Sequence, residues 1–294
     1  MIVIIGATGK VGSKTAEILL SKGKKVRLIA RHADKLNVFK AKGAEIAAGD
    51  STDEDFLTKV FKGADVVFTM MPADFQAADI AEYQDEMGEA QAYAIKKSGV
   101  KHVVNLSSLG GHTEENTGLV AGLARQEVRL NKIENVNILH LRPTYFFENL
   151  FNNIAVIKNM GVNGSALTPE VKFPMIATQD IAKVAAEKLM NPNFTGKSVL
   201  TLLGAKDYNM NEITEVIGKA IGKPDLKYVQ FSYDEAKKGL MQFGITASPA
   251  EAYIGLTKGI NMGVFGKESR TAEKTTATTL EEFAKTFAQI YNMN

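Results

Sequence analysis

At 294 residues the chain can hold one large or two modest domains and can bury a substantial core. Its 45% hydrophobic and 23% charged residues are ordinary for a soluble globular protein. Its 35 basic and 33 acidic residues are well mixed with no polybasic block, so neither nucleic acid nor an anionic membrane is implied as a partner. The lack of cysteine excludes disulfides, thiolate metal sites and a cysteine nucleophile. No apolar run approaches the roughly 20 residues that span a bilayer, and no signal-peptide pattern precedes the first strand, so a cytoplasmic location is the default expectation.

The chain opens with an apolar run, Ile2 to Ile5, which leads into Gly6, Gly9 and Gly12. A helical pattern follows from Ser13 to Lys22, with Ala16, Leu19 and Leu20 on one face. Strand, glycine turn and helix N-terminus in that order make a site for dinucleotide phosphates, because exposed N–H groups and the positive end of the helix dipole both face the anion. The loop residues Gly6, Thr8, Gly9, Lys10, Val11 and Gly12 are therefore candidate cofactor ligands. A three-glycine motif alone is weak evidence, and it needs support from the rest of the chain.

Strands are predicted at Lys25 to Ala30, Ala44 to Ala48, Asp65 to Met71, Lys101 to Leu106 and Asn137 to Leu141. Between them the pattern predicts helices at 34–42, 53–62, 73–98 and 119–132. Six strand–helix units in succession point to a doubly wound parallel sheet of the dinucleotide-binding kind. Past residue 150 the rhythm loosens. Helices are expected at 147–160, 179–190, 210–221 and 279–291, with a strand at 198–203 and short helices beyond Pro224. The α/β fold so predicted is a dinucleotide-binding Rossmann core over residues 1–150, with returns from about 176–203, and a mainly substrate-binding lid over 151–294.

The end of the second strand discriminates between cofactors. An acidic residue there would bond a ribose 2′-hydroxyl, whereas this chain has Arg31, with His32 and Lys35 nearby. A guanidinium suits a 2′-phosphate through paired charge-assisted hydrogen bonds, which predicts NADP(H). Asp50, past the third strand, is a candidate adenine contact or a turn former. Met71 and Pro72 are candidate walls for the adenosine.

The loop GATGKVG, Arg31, the Gly49-Asp50 pair, NLSS at 105–108 and LRPTYFFEN at 141–149 together resemble the NmrA-like family of atypical short-chain dehydrogenases, as do TQDIAKVAA at 178–186 and TTLEEFA at 278–284. The resemblance covers nearly the whole chain. It implies an NADP(H) protein, either a reductase of quinones or other aromatic compounds, or a binder without turnover. Short-chain dehydrogenases usually carry a Tyr–Lys pair on the helix after the serine-bearing strand. Residues 109 to 135 contain no tyrosine, with Ala121 and Arg125 at the corresponding places. Tyr93/Lys97 and Tyr233/Lys237 have the same spacing but lie elsewhere in the chain.

A quinone accepts hydride readily and its oxygens can take protons from water, so the protein mainly has to position the reactants. Tyr145 is the candidate proton donor or orienting group. Phe146, Phe147, Asn149, Phe173 and Met175 are candidate substrate contacts, and Ser107 and Pro143 are placed beside the nicotinamide. Ser107 and Ser108 have no partner base for nucleophilic chemistry. The histidines His32, His102, His112 and His140 show no metal-ligand spacing, so no metal is expected. Two readings emerge: an NADPH-dependent reductase of quinones or similar flat carbonyl compounds, and an NADP(H)-responsive sensor. The residues leave open whether either works as a homo-oligomer or with a protein partner.

Overall fold

The structure, a computed structural model, describes residues 1–266 and 268–293. Seven parallel strands form the main sheet: β1 (Ile2–Ile4), β2 (Val26–Ala30), β3 (Glu45–Ala48), β4 (Val66–Met70), β5 (His102–Leu106), β6 (Asn137–Pro143) and β10 (Lys197–Leu202). Their order is β10-β6-β5-β4-β1-β2-β3, and the order reverses at β1. This is the Rossmann-type doubly wound arrangement, whose ligand crevice lies at the carboxyl ends of the strands beside the reversal.

Alternation along the strands supplies both faces of the sheet. Ile4, Leu28, Phe68, Val104 and Leu139 pack with Ala16 and Leu19 of α1 (Lys10–Ser21) and with Ile181 and Ala185 of α7 (Thr178–Met190). Their neighbours Val3, Ile29, Val67, Val103 and Ile138 face the opposite layer. That layer holds α3 (Glu54–Phe61), α4 (Ile80–Ser98) and α5 (Ala121–Asn131), and α2 (Asn37–Lys40) is a single turn before β3. Both faces of the central strands are covered, which explains why β1 and the start of β4 read as unbroken apolar runs.

A further core forms outside the sheet around Phe147, Ile157, Tyr208, Ile213, Phe283 and Phe287. It gathers α6 (Ile154–Met160), α8 (Met210–Ala220), α11 (Leu280–Met293) and two small sheets. One is β7 (Tyr145–Phe146), β9 (Phe173–Ile176) and β11 (Asp207–Tyr208); the other pairs β8 (Val162–Ser165) with β12 (Lys227–Gln230). Two further helices, α9 (Tyr233–Gln242) and α10 (Ala247–Met262), complete the region.

Several boundaries depart from the sequence reading for physical reasons. Helix α1 starts at Lys10 rather than Ser13, with Gly9 as its N-cap, so the end of the glycine loop, Lys10 to Gly12, lies in the first turn. Helix α4 starts at Ile80 rather than 73, because the Asp79 carboxylate accepts the N–H groups of Ala81 and Glu82 and ends the preceding loop there. Residues Phe147–Asn153 form a 3-10 turn ahead of α6. The tail helices are not all short: α10 has 16 residues. A long-range fit holds it, since a Cβ on Gly118 would come within 2.1 Å of the Ala252 carbonyl oxygen. Among the described residues no helix is long and apolar enough to cross a membrane.

Candidate active site

The glycine loop packs closely at both of its ends. Gly6 has φ +74°, and a Cβ there would lie 2.2 Å from the Met70 sulfur. A Cβ on Gly12 would lie 2.2 Å from the Gly6 carbonyl oxygen. Gly9 caps α1 without a side chain, and the first turn carries no acidic residue, so its N–H groups are left for a ligand. Lys10 reaches across the crevice, donating to the Glu148 carbonyl at 3.2 Å with its ammonium 5.7 Å from the Phe151 ring centroid. Burial lowers its pKa, and the Glu148 carboxylate partly offsets that.

Glu148 was not singled out in the sequence, although it lies inside the LRPTYFFEN block. Its buried carboxylate accepts the Thr178 N–H at 3.0 Å and the Thr178 hydroxyl, and Lys14 lies 3.5 Å away. It therefore supplies an outside cap to α7 and ties that helix to the segment after β6.

On the other side of the loop, Arg31 is exposed just past the end of β2. Asp50 accepts the Thr52 N–H and hydroxyl, both at 3.0 Å, which is a turn-forming arrangement. Met71 is buried and Pro72 half-buried at the end of β4. The half-buried Tyr83 of α4 belongs to the same neighbourhood. Burial raises the pKa of its phenol; Arg31 opposes that shift, and Asp74 and Asp50 add to it.

Beyond β5 and β6 the polar groups are knitted together. The Ser107 hydroxyl donates to buried Glu127 at 2.5 Å, and Arg142 grips the same carboxylate at 2.9 and 2.5 Å. The Ser107 hydroxyl is thus held by Glu127 at the end of β5, and its neighbour Ser108 lines the cavity. Behind them runs a buried chain. Thr69 donates to Asn105 at 3.0 Å, the Asn105 amide meets His140 Nδ1 at 3.1 Å, and His140 Nε2 meets Asn131 at 3.0 Å. Burial lowers His140 to about 4. Sequence alone offers no signal for this chain, whose members come from four separate elements, β4, β5, β6 and α5.

A cavity of about 810 Å³ opens here. Tyr145, Phe146, Phe173 and Phe265 give it aromatic walls, and Leu256 and Ile260 of α10 line it as well. Asn149 is on the wall, as is Thr144, whose buried hydroxyl has no partner among the described residues. Pro143 is buried just beneath, its carbonyl accepting the Leu109 N–H at 2.9 Å. Tyr145 meets Phe173 edge-to-face, and its hydroxyl is 3.2 Å from that of Tyr253 on α10. Burial, reinforced by Tyr253, pushes Tyr145 well above the usual phenol value. It is a neutral hydrogen-bonding group at physiological pH, not a ready acid. Arg270 donates to the Gly204 carbonyl at 2.6 Å and pairs with Asp207, anchoring one rim.

Two expected wall residues lie elsewhere. Phe147 is fully buried between Tyr208 and Phe283, since the step past Phe146 turns its side chain to the outer core. Met175 is fully buried opposite Tyr145 in the β7–β9 register. Arg125 pairs with Asp85 at 2.8 Å and Glu114 at 3.1 Å. Neither Tyr93 nor Tyr233 is among the cavity residues. Among the described residues no group of three His, Asp or Glu side chains could hold a metal ion.

Residues 1–284 match the NmrA-like family. An NAD(P)H azoreductase of Xenophilus azovorans is 26% identical over 294 residues, 99% of each chain. A solved NADPH-dependent quinone oxidoreductase of Escherichia coli, complexed with NADPH, superposes with a TM-score of 0.82 at 23% identity, covering 98% of this chain and 99% of that one. The negative transcriptional regulator NmrA, solved with NADP, superposes at 0.75 with 13% identity, covering 98% and 95%.

Proposed function

The chain belongs to the NmrA-like family, and from that premise we propose that it is an NADPH-dependent oxidoreductase that delivers hydride to a quinone or a similar flat carbonyl compound. The cavity carries this reading: an aromatic-walled space at the ends of β5 and β6, across the glycine loop from Arg31, is where a flat acceptor can lie over a nicotinamide. The azoreductase and quinone oxidoreductase relatives support the reaction class.

The residues fit NADP(H). Backbone N–H groups from Gly6 to Gly12, with Thr8, Lys10 and Val11, would hold the diphosphate at the N-terminus of α1. Arg31 would take the 2′-phosphate, and Asp50, Met71 and Pro72 would border the adenosine. Pro143 and the free Thr144 hydroxyl would border the nicotinamide. Bound NADPH supplies the hydride. Phe146 and Phe173 hold the acceptor flat and exclude water, while Tyr145 and Asn149 orient its oxygen by hydrogen bonding. Tyr145 stays protonated at physiological pH, as a group that donates a hydrogen bond to the acceptor oxygen must be, and the quinone oxygens can take their final protons from water. On this reading residues 1–150, with the return of α7 and β10, bind the cofactor, and most of the remainder encloses the substrate.

A second reading, an NADP(H)-responsive regulator, is favoured by Ala121 and Arg125 in the usual Tyr–Lys places and by the likeness to NmrA. Following NADPH absorbance across a panel of quinones and aldehydes separates the two. Quinone-dependent oxidation supports the enzyme; tight NADPH binding without turnover on any acceptor supports the regulator.

A further inference from the structure

Residues 73–79 fit a helical pattern, yet they leave α4 to reach α10, about 170 positions away along the chain. Four donor groups make the junction, and one of them, the Thr246 hydroxyl, also lies 3.4 Å from the Phe75 carbonyl oxygen. The Thr246 N–H donates to the Phe75 carbonyl at 3.0 Å, and the Thr246 hydroxyl to the Ala77 carbonyl at 2.6 Å. The Gln76 amide donates to the Gly244 carbonyl at 2.5 Å, and the Ile80 N–H to the Ser248 hydroxyl at 3.1 Å.

The chemistry of the junction is unusual for two helix ends. Thr246 is the N-cap of α10, where a threonine hydroxyl ordinarily accepts an N–H of its own helix; here it makes no such bond and donates to Ala77 instead. Ile80 is the first residue of α4, and its otherwise orphan N–H is satisfied by α10. The two helices thus start on each other.

What lies beyond each start gives the junction a purpose. Residues 73–79 follow directly on Met71 and Pro72 at the end of β4, which neighbours β1 on the side of the crevice assigned above to the adenosine, and Asp74 in the crossing segment accepts the Gln76 N–H at 2.9 Å. Tyr83, one turn into α4, interacts electrostatically with Arg31, Asp50 and Asp74. Along α10 follow Tyr253, bonded to Tyr145, and then Leu256 and Ile260 on the cavity wall.

We propose that the α4–α10 junction couples the two ligand sites, so that occupancy of the adenosine side at Arg31 raises the affinity of the cavity for its flat apolar guest. A nucleotide that orders residues 73–79 also orders the first turns of α10, so the second ligand meets a wall already in place and loses less conformational entropy on binding. The same coupling acts in reverse, by linkage. This inference rests on the placement of the 2′-phosphate at Arg31 and does not depend on turnover.

The probe pair is adenosine 2′,5′-bisphosphate, which fills the adenosine side alone, and the fluorophore anilinonaphthalene sulfonate. The cavity-bound fraction of the fluorophore is that lost in a Leu256→Trp variant, which fills the space. In the wild type, saturating bisphosphate should tighten fluorophore binding by about fivefold or more, the range usual for coupled sites. In Gln76→Ala/Thr246→Val the gain should fall below about twofold while the bisphosphate still binds, and Ser248→Ala, which loses one bond, should lie between. Equal coupling in wild type and variants, or none in the wild type, overturns the proposal. A bisphosphate that does not bind overturns it together with the Arg31 assignment. Failure of turnover with coupling intact removes only the reductase reading.

Discussion

The two sides of the sheet's carboxyl edge are made by different means. On the β1–β3 side, the proposed nucleotide site consists of one short loop, Gly6 to Gly12, and one strand end with Arg31, which offer backbone N–H groups and an exposed cation. On the β5–β6 side, the wall of the cavity combines strand ends with side chains from residues 256, 260 and 265, more than a hundred positions later. Local backbone geometry makes the first side, and tertiary packing makes the second. Damage to one should therefore leave the other built, even where their ligand affinities are linked, which the following variants can break or sharpen.

The largest effect is expected at Glu127. Replacing it with alanine strands the Arg142 guanidinium and the Ser107 hydroxyl, and losing one partner of a buried pair costs about 3–5 kcal/mol. Denaturant unfolding should show that loss, and a Glu127→Ala protein of wild-type stability would mean the network is ornamental. On the opposite side, Gly12→Ala forces a Cβ into the Gly6 carbonyl, at a cost of about 1–3 kcal/mol in overpacking. Fluorescence titration should find NADPH binding abolished in it, while the cavity still takes an apolar dye.

Acid offers a comparable test of the buried chain behind the cavity. His140 titrates at about 4 when folded and at 6.5 ordinarily, so below pH 6.5 the unfolded chain takes up a proton that the folded one refuses. Stability should be flat above pH 7 from this source and fall by up to roughly 3 kcal/mol as the pH drops from 6.5 to 4. Unfolding midpoints that stay constant over that window would contradict the buried neutral imidazole.

Smaller and more selective changes follow. Arg31→Ala should weaken NADPH by about tenfold or more and leave NADH nearly unchanged, as loss of a charge-assisted contact worth about 1.5–3 kcal/mol requires. Equal losses for both nucleotides would move the 2′-phosphate elsewhere. Tyr145→Phe should lower kcat/KM for a quinone by about tenfold, the value of one neutral hydrogen bond, without steepening the pH profile between 6 and 9.

This division also explains what the sequence makes legible. Buried parallel strands give continuous apolar runs, and the glycine loop and Arg31 are contiguous with strand ends, so fold and cofactor side can be read from spacing. The Ser107–Glu127–Arg142 network joins positions on two strand ends and a helix, and nothing local marks Glu127 as its centre. Phe146 and Phe147 are adjacent and chemically identical; only the register of β7 sends one to the cavity and the other to the outer core. The helical pattern of 73–98 runs through Asp79, whose carboxylate caps α4 at Ile80, and bonds to the start of α10 hold residues 75–77 outside the helix.

The central claim is that these two sides meet in one reaction, and a single-turnover mixing experiment tests it most directly. The protein loaded with one equivalent of NADPH should, on addition of a naphthoquinone without oxygen, lose its NADPH absorbance and form one hydroquinone per nucleotide. Bound NADPH that stays reduced in the presence of excess quinone would contradict the account and leave a nucleotide-binding protein whose cavity serves another purpose.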